Sequence, residues 1–326
     1  MASASDWRLL DEFVAALVAE LSLAGAALAL AKDGALIYMR GFGAYAPSRR
    51  VPIASGSKWL SAAVIATLLE DGLLHLDDRA GDYIPEFGGD KYAITLRQLL
   101  AHTSGLPAQE HPCLNNPHLS LAECVQRIAE MPLQYPPGAR FAYTENGYQV
   151  AARMAEVATA KSWWMLFQER LAAPLAMQSV DFGWRSSEDG VVSVSNPRVG
   201  SGIRINLEDY ARFLQMWSSG GSLSSRRVLS PSTLALMSLD HTAGATVASS
   251  PNRFPQIGYG LGCWRDEVDR EGRAVLISSP GVFGFTPWWD ARCNVAGALL
   301  VRDTYQRIAQ PARALQQLVR SLLAAG

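Results

Sequence analysis

Apolar residues recur along this chain with two different spacings, and each spacing predicts a type of element. Near the start they lie three or four residues apart, which predicts an amphipathic helix over residues 6–21: Trp7, Leu10, Val14, Leu17 and Leu21. Two shorter apolar runs, 25–31 and 35–42, follow on either side of Lys32-Asp33-Gly34. An Asp-Gly pair between apolar runs is a strong hairpin signal, so these runs are predicted to be paired strands.

Helical spacing dominates the middle of the chain, and strand-like runs return near its end. Further helices are predicted at 94–101, 119–131, 148–159, 162–171, 207–218 and 231–239. Residues 240–256 are rich in Ser, Pro and Gly and are predicted to be a polar loop. Late strands are predicted at 258–264, 274–278 and 294–301, and a final amphipathic helix at 308–323.

This distribution of strands and helices predicts an α+β fold, an α/β sandwich. An antiparallel sheet is built from the N- and C-terminal strands, is flanked by the terminal helices, and carries an inserted, mostly helical lobe. Residues 1–60 and 250–326 are predicted to form the sheet lobe and residues 61–249 the helical lobe, within one unit overall. Binding sites favour such interfaces between lobes, so we expect the site there.

The overall composition limits the class of protein and its partners. The chain has 326 residues, of which 49% are hydrophobic, enough for one large domain or two closely packed ones. Its 29 basic and 30 acidic residues nearly balance, and no basic run or stripe occurs. We therefore expect neither a nucleic acid nor an anionic membrane as a partner.

The cysteines and histidines indicate whether a metal or cofactor site is present, and the N-terminus bears on the cellular location. The four cysteines form no Cys-x-x-Cys pair and the five histidines lack ligand spacing, so neither a metal site, a cofactor nor a disulfide framework is predicted. The N-terminus has no basic residue before its first apolar ones and does not resemble a signal peptide. The longest apolar run, 23–31, is too short to span a bilayer, so a cytoplasmic location is the expectation.

The strongest candidate for chemistry is Ser55, which lies three residues before Lys58. An apolar helical pattern begins just after Ser55 and stops at Gly72, so both side chains fall on the first turn of a helix and face the same side. The unpaired N–H groups of a helix start can also stabilise a developing oxyanion. The plainer alternative is a serine that only caps the helix and a lysine exposed to solvent.

A serine hydroxyl needs a base before it becomes a good nucleophile, and no Gly-x-Ser-x-Gly elbow occurs here. The available bases are Lys58 and Tyr143. Lys58 could act with a lowered pKa, or it could stay charged and stabilise a tyrosinate at Tyr143. The sequence leaves both routes open. His102 is interpreted as a structural residue that braces the turn after it.

Several stretches, in this order, resemble the serine beta-lactamase-like hydrolases: class C beta-lactamases, D-alanyl-D-alanine carboxypeptidases, family VIII carboxylesterases and 6-aminohexanoate-oligomer hydrolases. The stretches are ASGSKWLSAAVIATLLEDGLLHLDDRAGDYIPEF, ITLRQLLAHTSGLP, PPGARFAYTENGYQVAARMAEVATAKSW, LAAPLAMQSVDF, GSGIRINLEDYARFLQMWSSGG and SSPGVFGFTPWWD. Together they cover most of residues 25–301. The resemblance implies the beta-lactamase/transpeptidase-like fold.

The resemblance also assigns roles to residues. It implies that Ser55 is the acylated nucleophile, that Lys58 is its partner, and that Tyr143 is the tyrosine of the Tyr-x-Asn motif. The third motif, usually Lys-Thr-Gly or His-x-Gly, falls on Ser279-Pro280-Gly281. The oxyanion hole would then be the backbone N–H groups of Ser55 and Val282.

Two positions depart from the family pattern. Glu145 stands where the motif has Asn, and Ser279 stands where the third motif has Lys or His. The candidate substrate-binding residues are therefore Glu145, Ser279, Gly281 and Trp288. Glu145 is either a solvated loop charge or a contact for a cationic substrate group. Trp288 and its neighbour Trp289 either wall an apolar acyl pocket or pack in the core.

The sequence thus favours a serine hydrolase that cleaves a small-molecule carboxylic ester, or an amide, through an acyl-enzyme on Ser55. The alternatives are a beta-lactamase or D-alanyl peptidase, and a catalytically inactive ligand-binding member of the same fold. Because Ser279 removes the cation that would meet a beta-lactam carboxylate, slow or absent hydrolysis of a cephalosporin is expected. The oligomeric state stays open.

Overall fold

The computed structural model describes residues 4–183, 190–191, 194–242, 244–251 and 258–324. Its helices are α1 Ala4–Glu20, α2 Ser57–Glu70, α3 Ala80–Tyr83, α4 Leu96–Leu100, α5 Leu121–Glu130, α6 Asn146–Thr159, α7 Trp163–Phe167, α8 Leu207–Ser218, α9 Pro231–Ser238 and α10 Tyr305–Ala324. Its strands are β1 Gly25–Lys32, β2 Ala35–Gly43, β3 Val51–Pro52, β4 Arg140–Ala142, β5 Arg204–Ile205, β6 Ser222–Leu223, β7 Arg226–Arg227, β8 Thr246–Ser249, β9 Trp264–Val268, β10 Ala274–Ser278, β11 Thr286–Asp290 and β12 Val295–Leu300.

A six-stranded sheet joins the two ends of the chain, in the order β2-β1-β12-β11-β10-β9. All of its neighbouring strands are antiparallel. The predicted hairpin forms its first edge, with Asp33 and Gly34 at positive φ in the turn. The predicted fold class is therefore confirmed: strands from both ends form one antiparallel sheet, and helices fill the chain between them.

The sheet is buried on both faces because its side chains alternate between two cores. On one face, Ala27, Ala29 and Ala31 of β1 pack with α2 and α8 in the larger core. On the other face, Leu28 and Leu30 pack with the terminal helices α1 and α10. The small alanines let α8 approach the sheet closely. The larger core continues from there into the helical middle of the chain.

The boundary between the sheet lobe and the helical lobe stays a prediction. Helix α8, which the predicted boundaries assign to the helical lobe, packs directly on β1 and β12. The backbone N–H of Gly34 also donates to Ser218 at the end of α8, over 3.1 Å. Among the residues described, no helix combines the length and the apolar character needed to cross a membrane.

In three stretches the observed strands differ from what periodicity predicted. The strand predicted at 258–264 is wrong, because the chain bends there at Gly262, with φ of 82°, and β9 only starts at Trp264. Strand β11 lies in a stretch for which periodicity predicted no element. The predicted loop 240–256 contains β8, which pairs in parallel with β4. Residues 243 and 252–257 of that loop lie outside the described residues.

The cysteine prediction is also wrong, because Cys113 and Cys124 form a disulfide. The first lies in a short helical turn at Pro112–Asn115 and the second in α5, and the packing of the turn on α5 brings their Cα atoms to 5.2 Å. A spacing of eleven residues matches no metal or redox motif, which is why the sequence did not show it. Disulfides persist mainly in oxidising compartments. A cytoplasmic location therefore stays a prediction that this bond does not favour.

Candidate active site

Ser55 lies in a single 3₁₀ turn, Ala54–Gly56, that runs directly into α2. Ala54 adopts a left-handed φ of 46°, a conformation that costs a residue with a side chain roughly 1–3 kcal/mol. A side chain at Gly56 would come within 2.8 Å of the Phe285 ring. The turn is thus held tightly between β3 and the sheet, and it leaves Ser55 half-buried at the wall of a cavity.

Lys58 is fully buried one turn further along α2, and its ammonium group has three oxygen partners. Its Nζ lies 3.4 Å from Ser55 Oγ and donates to the carbonyl of Gly200 over 3.0 Å. It also donates to Glu145 Oε1 in a short ion pair. The plainer alternative of a solvent-exposed lysine is therefore excluded.

Tyr143 reaches the same point from the loop between β4 and α6. Its backbone N–H donates to Ser249 at the end of β8, over 3.1 Å, which fixes the loop. Its side chain lines the same cavity as Ser55 and lies beside Lys58. Its ring lies 4.7 Å from Lys58 Nζ and stacks on Trp264, with the ring centroids 5.5 Å apart and the planes at 13°. The three residues singled out for catalysis thus meet around one hydroxyl.

Burial and charge act in opposite directions on the pKa values of this cluster. Burial by itself lowers the pKa of Lys58, but the charge of the Glu145 carboxylate outweighs it, so the pKa stands above its usual value. Burial raises the pKa of Tyr143, and the nearby charge of Lys58 offsets this only in part. In the resting site Lys58 is therefore an ammonium and Tyr143 a neutral phenol.

His102 supports the loop between β4 and α6 from behind, rather than the turn after it that the sequence indicated. Its Nδ1 accepts a hydrogen bond from the backbone N–H of Thr144 over 3.2 Å, so the ring proton is on Nε2. Its ring lies 4.2 Å from that of Tyr143. Burial, and after it the charge of Lys58, holds the pKa of His102 well below its usual value. A neutral imidazole here positions the loop without adding charge.

The third motif closes the site from the sheet side. Ser279 is buried, and its Oγ lies 3.1 Å from the carbonyl of Ser55 and 2.9 Å from that of Gly262. Gly281 packs so closely that a side chain there would come within 2.1 Å of the Ile53 carbonyl. Ser279 thus braces the nucleophile turn from below, and Gly281 lets the loop approach that turn.

The backbone amides of Ser55 and Val282 are free to act as donors. In the described part of the chain, neither amide donates to a main-chain carbonyl. Val282 follows Gly281 at the cavity rim, where its side chain is 62% exposed. Two such amides near a nucleophile are the usual components of an oxyanion hole.

The cavity beside Ser55 has a volume of about 390 Å³. Its wall includes Tyr143, Glu145, Val282, Phe283 and Arg198. The Arg198 guanidinium donates to Glu110 over 2.6 Å, with further bonds to Asn115 and Ser201. The cavity therefore contains one cation that the sequence analysis did not identify, and the Glu110 carboxylate already neutralises its charge.

For two of the candidate substrate-binding residues the structure selects between the alternatives left open. Trp288 packs in the core beneath α1 and α10, on the opposite face of the sheet, and is not a wall of the cavity. A side chain at Gly297 would come within 2.3 Å of its ring. Glu145 lines the cavity but is only 4% exposed, so it is not a solvated loop charge. Its carboxylate pairs with Lys58.

Three contributors were missed by the sequence analysis: Gly200, Trp264 and Arg198. Gly200 and Arg198 lie in a stretch that has no periodicity, and they reach the site only because the chain folds back over α2. A side chain at Gly200 would come within 2.5 Å of Glu145 Oε2. Trp264 was assigned to the end of a strand, whereas it begins one. The glycine at 200 is the one signal that could have indicated a close approach.

Comparison with known proteins places these features in a family. A family model described as Beta-lactamase matches residues 10–320. Penicillin-binding protein 4 from Amycolatopsis lactamdurans is 32% identical over 174 residues, which make up 50% of this chain and 45% of that protein. The chain spans less than half the length of the curated relatives it matches.

Solved structures show the same fold. A protein from Bacteroides dorei DSM 17855, whose own assignment as a beta-lactamase is provisional, superposes with a TM-score of 0.81 and 33% identity, over 93% of this chain and 91% of that one. A family VIII carboxylesterase superposes with a TM-score of 0.76, over 97% of this chain and 99% of that one. At 17% identity, the likeness to the carboxylesterase shows the fold alone.

Proposed function

Because this chain belongs to the beta-lactamase family, we propose that it is a serine hydrolase that cleaves a carboxylic ester, or an amide, through an acyl-enzyme on Ser55. The observation that carries the proposal is the meeting of Ser55, Lys58 and Tyr143 around one hydroxyl beside an open cavity. The cavity is large enough for a small-molecule substrate.

In this mechanism Ser55 Oγ attacks the acyl carbon of the substrate. Lys58 or Tyr143 takes the hydroxyl proton as it gives up its own and as the new C–O bond forms, and the same residue returns a proton to the leaving alcohol or amine. Water then repeats the sequence and releases the acid. The amides of Ser55 and Val282 would stabilise the oxyanion of both tetrahedral intermediates.

A fluorophosphonate probe tests the proposal directly, because it labels a serine only when that serine is activated. We expect the folded protein to gain one probe adduct by intact mass, and peptide mapping to place the adduct on Ser55. Protein first unfolded in urea serves as the control and should stay unlabelled. Folded protein that does not react would instead support the catalytically inactive, ligand-binding alternative.

Ester hydrolysis is favoured over beta-lactam hydrolysis because no described residue offers an available cation for a carboxylate in the site. Ser279 replaces the cation of the third motif and is bonded to main-chain carbonyls. The Arg198 guanidinium is engaged by Glu110.

We therefore expect a chromogenic cephalosporin to be hydrolysed at least about a hundredfold less efficiently than p-nitrophenyl butyrate, as for a missing charged contact of roughly 3 kcal/mol. The kcat/KM values of the two substrates, measured on one enzyme preparation, give the comparison. Equal values would favour the beta-lactamase alternative.

A further inference from the structure

Glu145 is the residue of the site whose chemistry the proposed reaction does not yet use. It stands at the start of α6 with its carboxylate almost fully buried, and one oxygen is paired with Lys58. The other oxygen, Oε2, is buried and has no hydrogen-bond partner among the residues that the structure describes. One oxygen of this buried carboxylate is thus held by Lys58, and the other is left without a donor to stabilise it.

Of the titratable groups that surround Lys58, Glu145 is the one placed to accept a proton from its ammonium group. The titratable groups that face Lys58 come from the nucleophile turn, the tyrosine loop, α6 and the loop after α4: Ser55, Tyr143, Glu145, Tyr148 and His102. Burial holds Tyr148 protonated and His102 neutral, and it also keeps Tyr143 a phenol. Among the described residues, Glu145 is therefore the one carboxylate in direct contact with the ammonium that lies beside Ser55.

Asn146, the amide next along the chain, does not take over this position. Its side chain donates to the carbonyls of Pro107 and Gln109, each over 3.0 Å, and so faces away from Lys58. Gly200 covers the ion pair from above and leaves no room for a side chain there. The Lys58–Glu145 contact is thus almost fully buried, and a proton can cross directly between its two atoms.

We propose that Glu145 is a positioning residue that completes a proton relay from Ser55 through Lys58, so that Lys58 passes a proton to Glu145 while it receives the proton of the Ser55 hydroxyl. This inference rests on the proposed function. Every bond and proton of this step is accounted for within the site. The Ser55 O–H bond breaks as the bond from Oγ to the acyl carbon forms, Lys58 is an ammonium before and after, and Glu145 changes from carboxylate to carboxylic acid. The proton returns by the same route to the leaving group.

The relay predicts how activity depends on pH. In the wild type, acylation can proceed wherever Glu145 is ionised. In Glu145→Gln no acceptor remains, so Lys58 must first lose its proton to solvent before it can act as a base. We expect the acid limb of kcat/KM for p-nitrophenyl butyrate to move to higher pH by about one unit or more, which is a loss of tenfold or more below that limb. Activity should recover towards the wild-type value at alkaline pH.

A second variant and a matched control make this result decisive. Glu145→Asn removes the carboxylate with a smaller side chain, and its acid limb should move in the same direction. Glu110→Gln removes another carboxylate of the same cavity, one that pairs with Arg198 rather than Lys58, and its limb should stay at the wild-type pH. Circular dichroism and thermal melting verify that each variant is folded.

Two outcomes would overturn the relay. An acid limb that stays in place while activity falls equally at every pH would show that Glu145 has only a structural role. Full activity of both Glu145 variants at every pH would show that Glu145 has no role in the reaction. Fluorophosphonate labelling of Ser55 in the same samples separates these results from failure of the proposed function, because an unlabelled wild type would overturn the acyl-enzyme itself.

Discussion

Ser55→Ala is expected to abolish the hydrolysis of p-nitrophenyl butyrate, lowering kcat by about 10⁴-fold or more. The reason is that the acyl group is carried on Ser55 Oγ, beside which Lys58 lies, so no acyl-enzyme can form without that hydroxyl. The remaining turnover would come from binding and the oxyanion hole alone. Initial rates of the wild type and the variant, purified side by side, give the measurement.

The fold should be unaffected by this change, because Ser55 is half-buried and its side chain makes few contacts. Equal melting temperatures of the two proteins therefore serve as the control. A variant that keeps most of the wild-type turnover would show that another nucleophile carries the reaction, and would rule out the acyl-enzyme on Ser55.

Lys58→Met is expected to lower the free energy of unfolding by about 3–5 kcal/mol as well as to abolish turnover. Methionine fills a similar volume, so the main loss is electrostatic: the Glu145 carboxylate stays buried without its partner. Urea denaturation at pH 7 measures the change. The double variant Lys58→Met with Glu145→Gln removes both charges, and should recover much of the stability but none of the activity.

The effect of Lys58 on stability also has a definite sign with pH. Its pKa is raised in the folded protein, so its contribution is complete below the unfolded pKa of about 10.4 and is lost as the pH rises through the folded value. Lys58→Met should therefore lose less stability than the wild type between neutral and strongly alkaline pH. A parallel decline of the two proteins would show that the ion pair contributes little.

Much of the fold could be predicted because its strands and helices carry regular patterns. The hairpin of β1 and β2 follows from two apolar runs around Asp33-Gly34, and the site residues Ser55, Lys58 and Tyr143 follow from motifs in a fixed order. Periodicity predicted no element at strand β11 because the strand holds only five residues, with a proline and two tryptophans. Without its register, the face on which Trp288 lies could not be derived, since a shift of one residue reverses it.

The partners of buried polar groups were beyond prediction for a different reason. Lys58 and Glu145 are 87 residues apart, and no periodicity connects them. A carboxylate in a loop normally faces water, so only the folded chain shows that this one is enclosed. The same holds for Gly200, whose carbonyl meets Lys58 from a segment without regular structure.

The disulfide between Cys113 and Cys124 has a practical consequence for experiments with this protein. The segment that carries Arg198 and Gly200 rests on the disulfide-linked loop: Asn196 donates to the carbonyls of Cys113 and Asn116, over 2.8 and 3.2 Å. One wall of the cavity thus depends on a covalent link that thiol reagents cut. Preparations made with and without dithiothreitol are therefore different samples, and the oxidation state belongs with every kinetic constant measured on them.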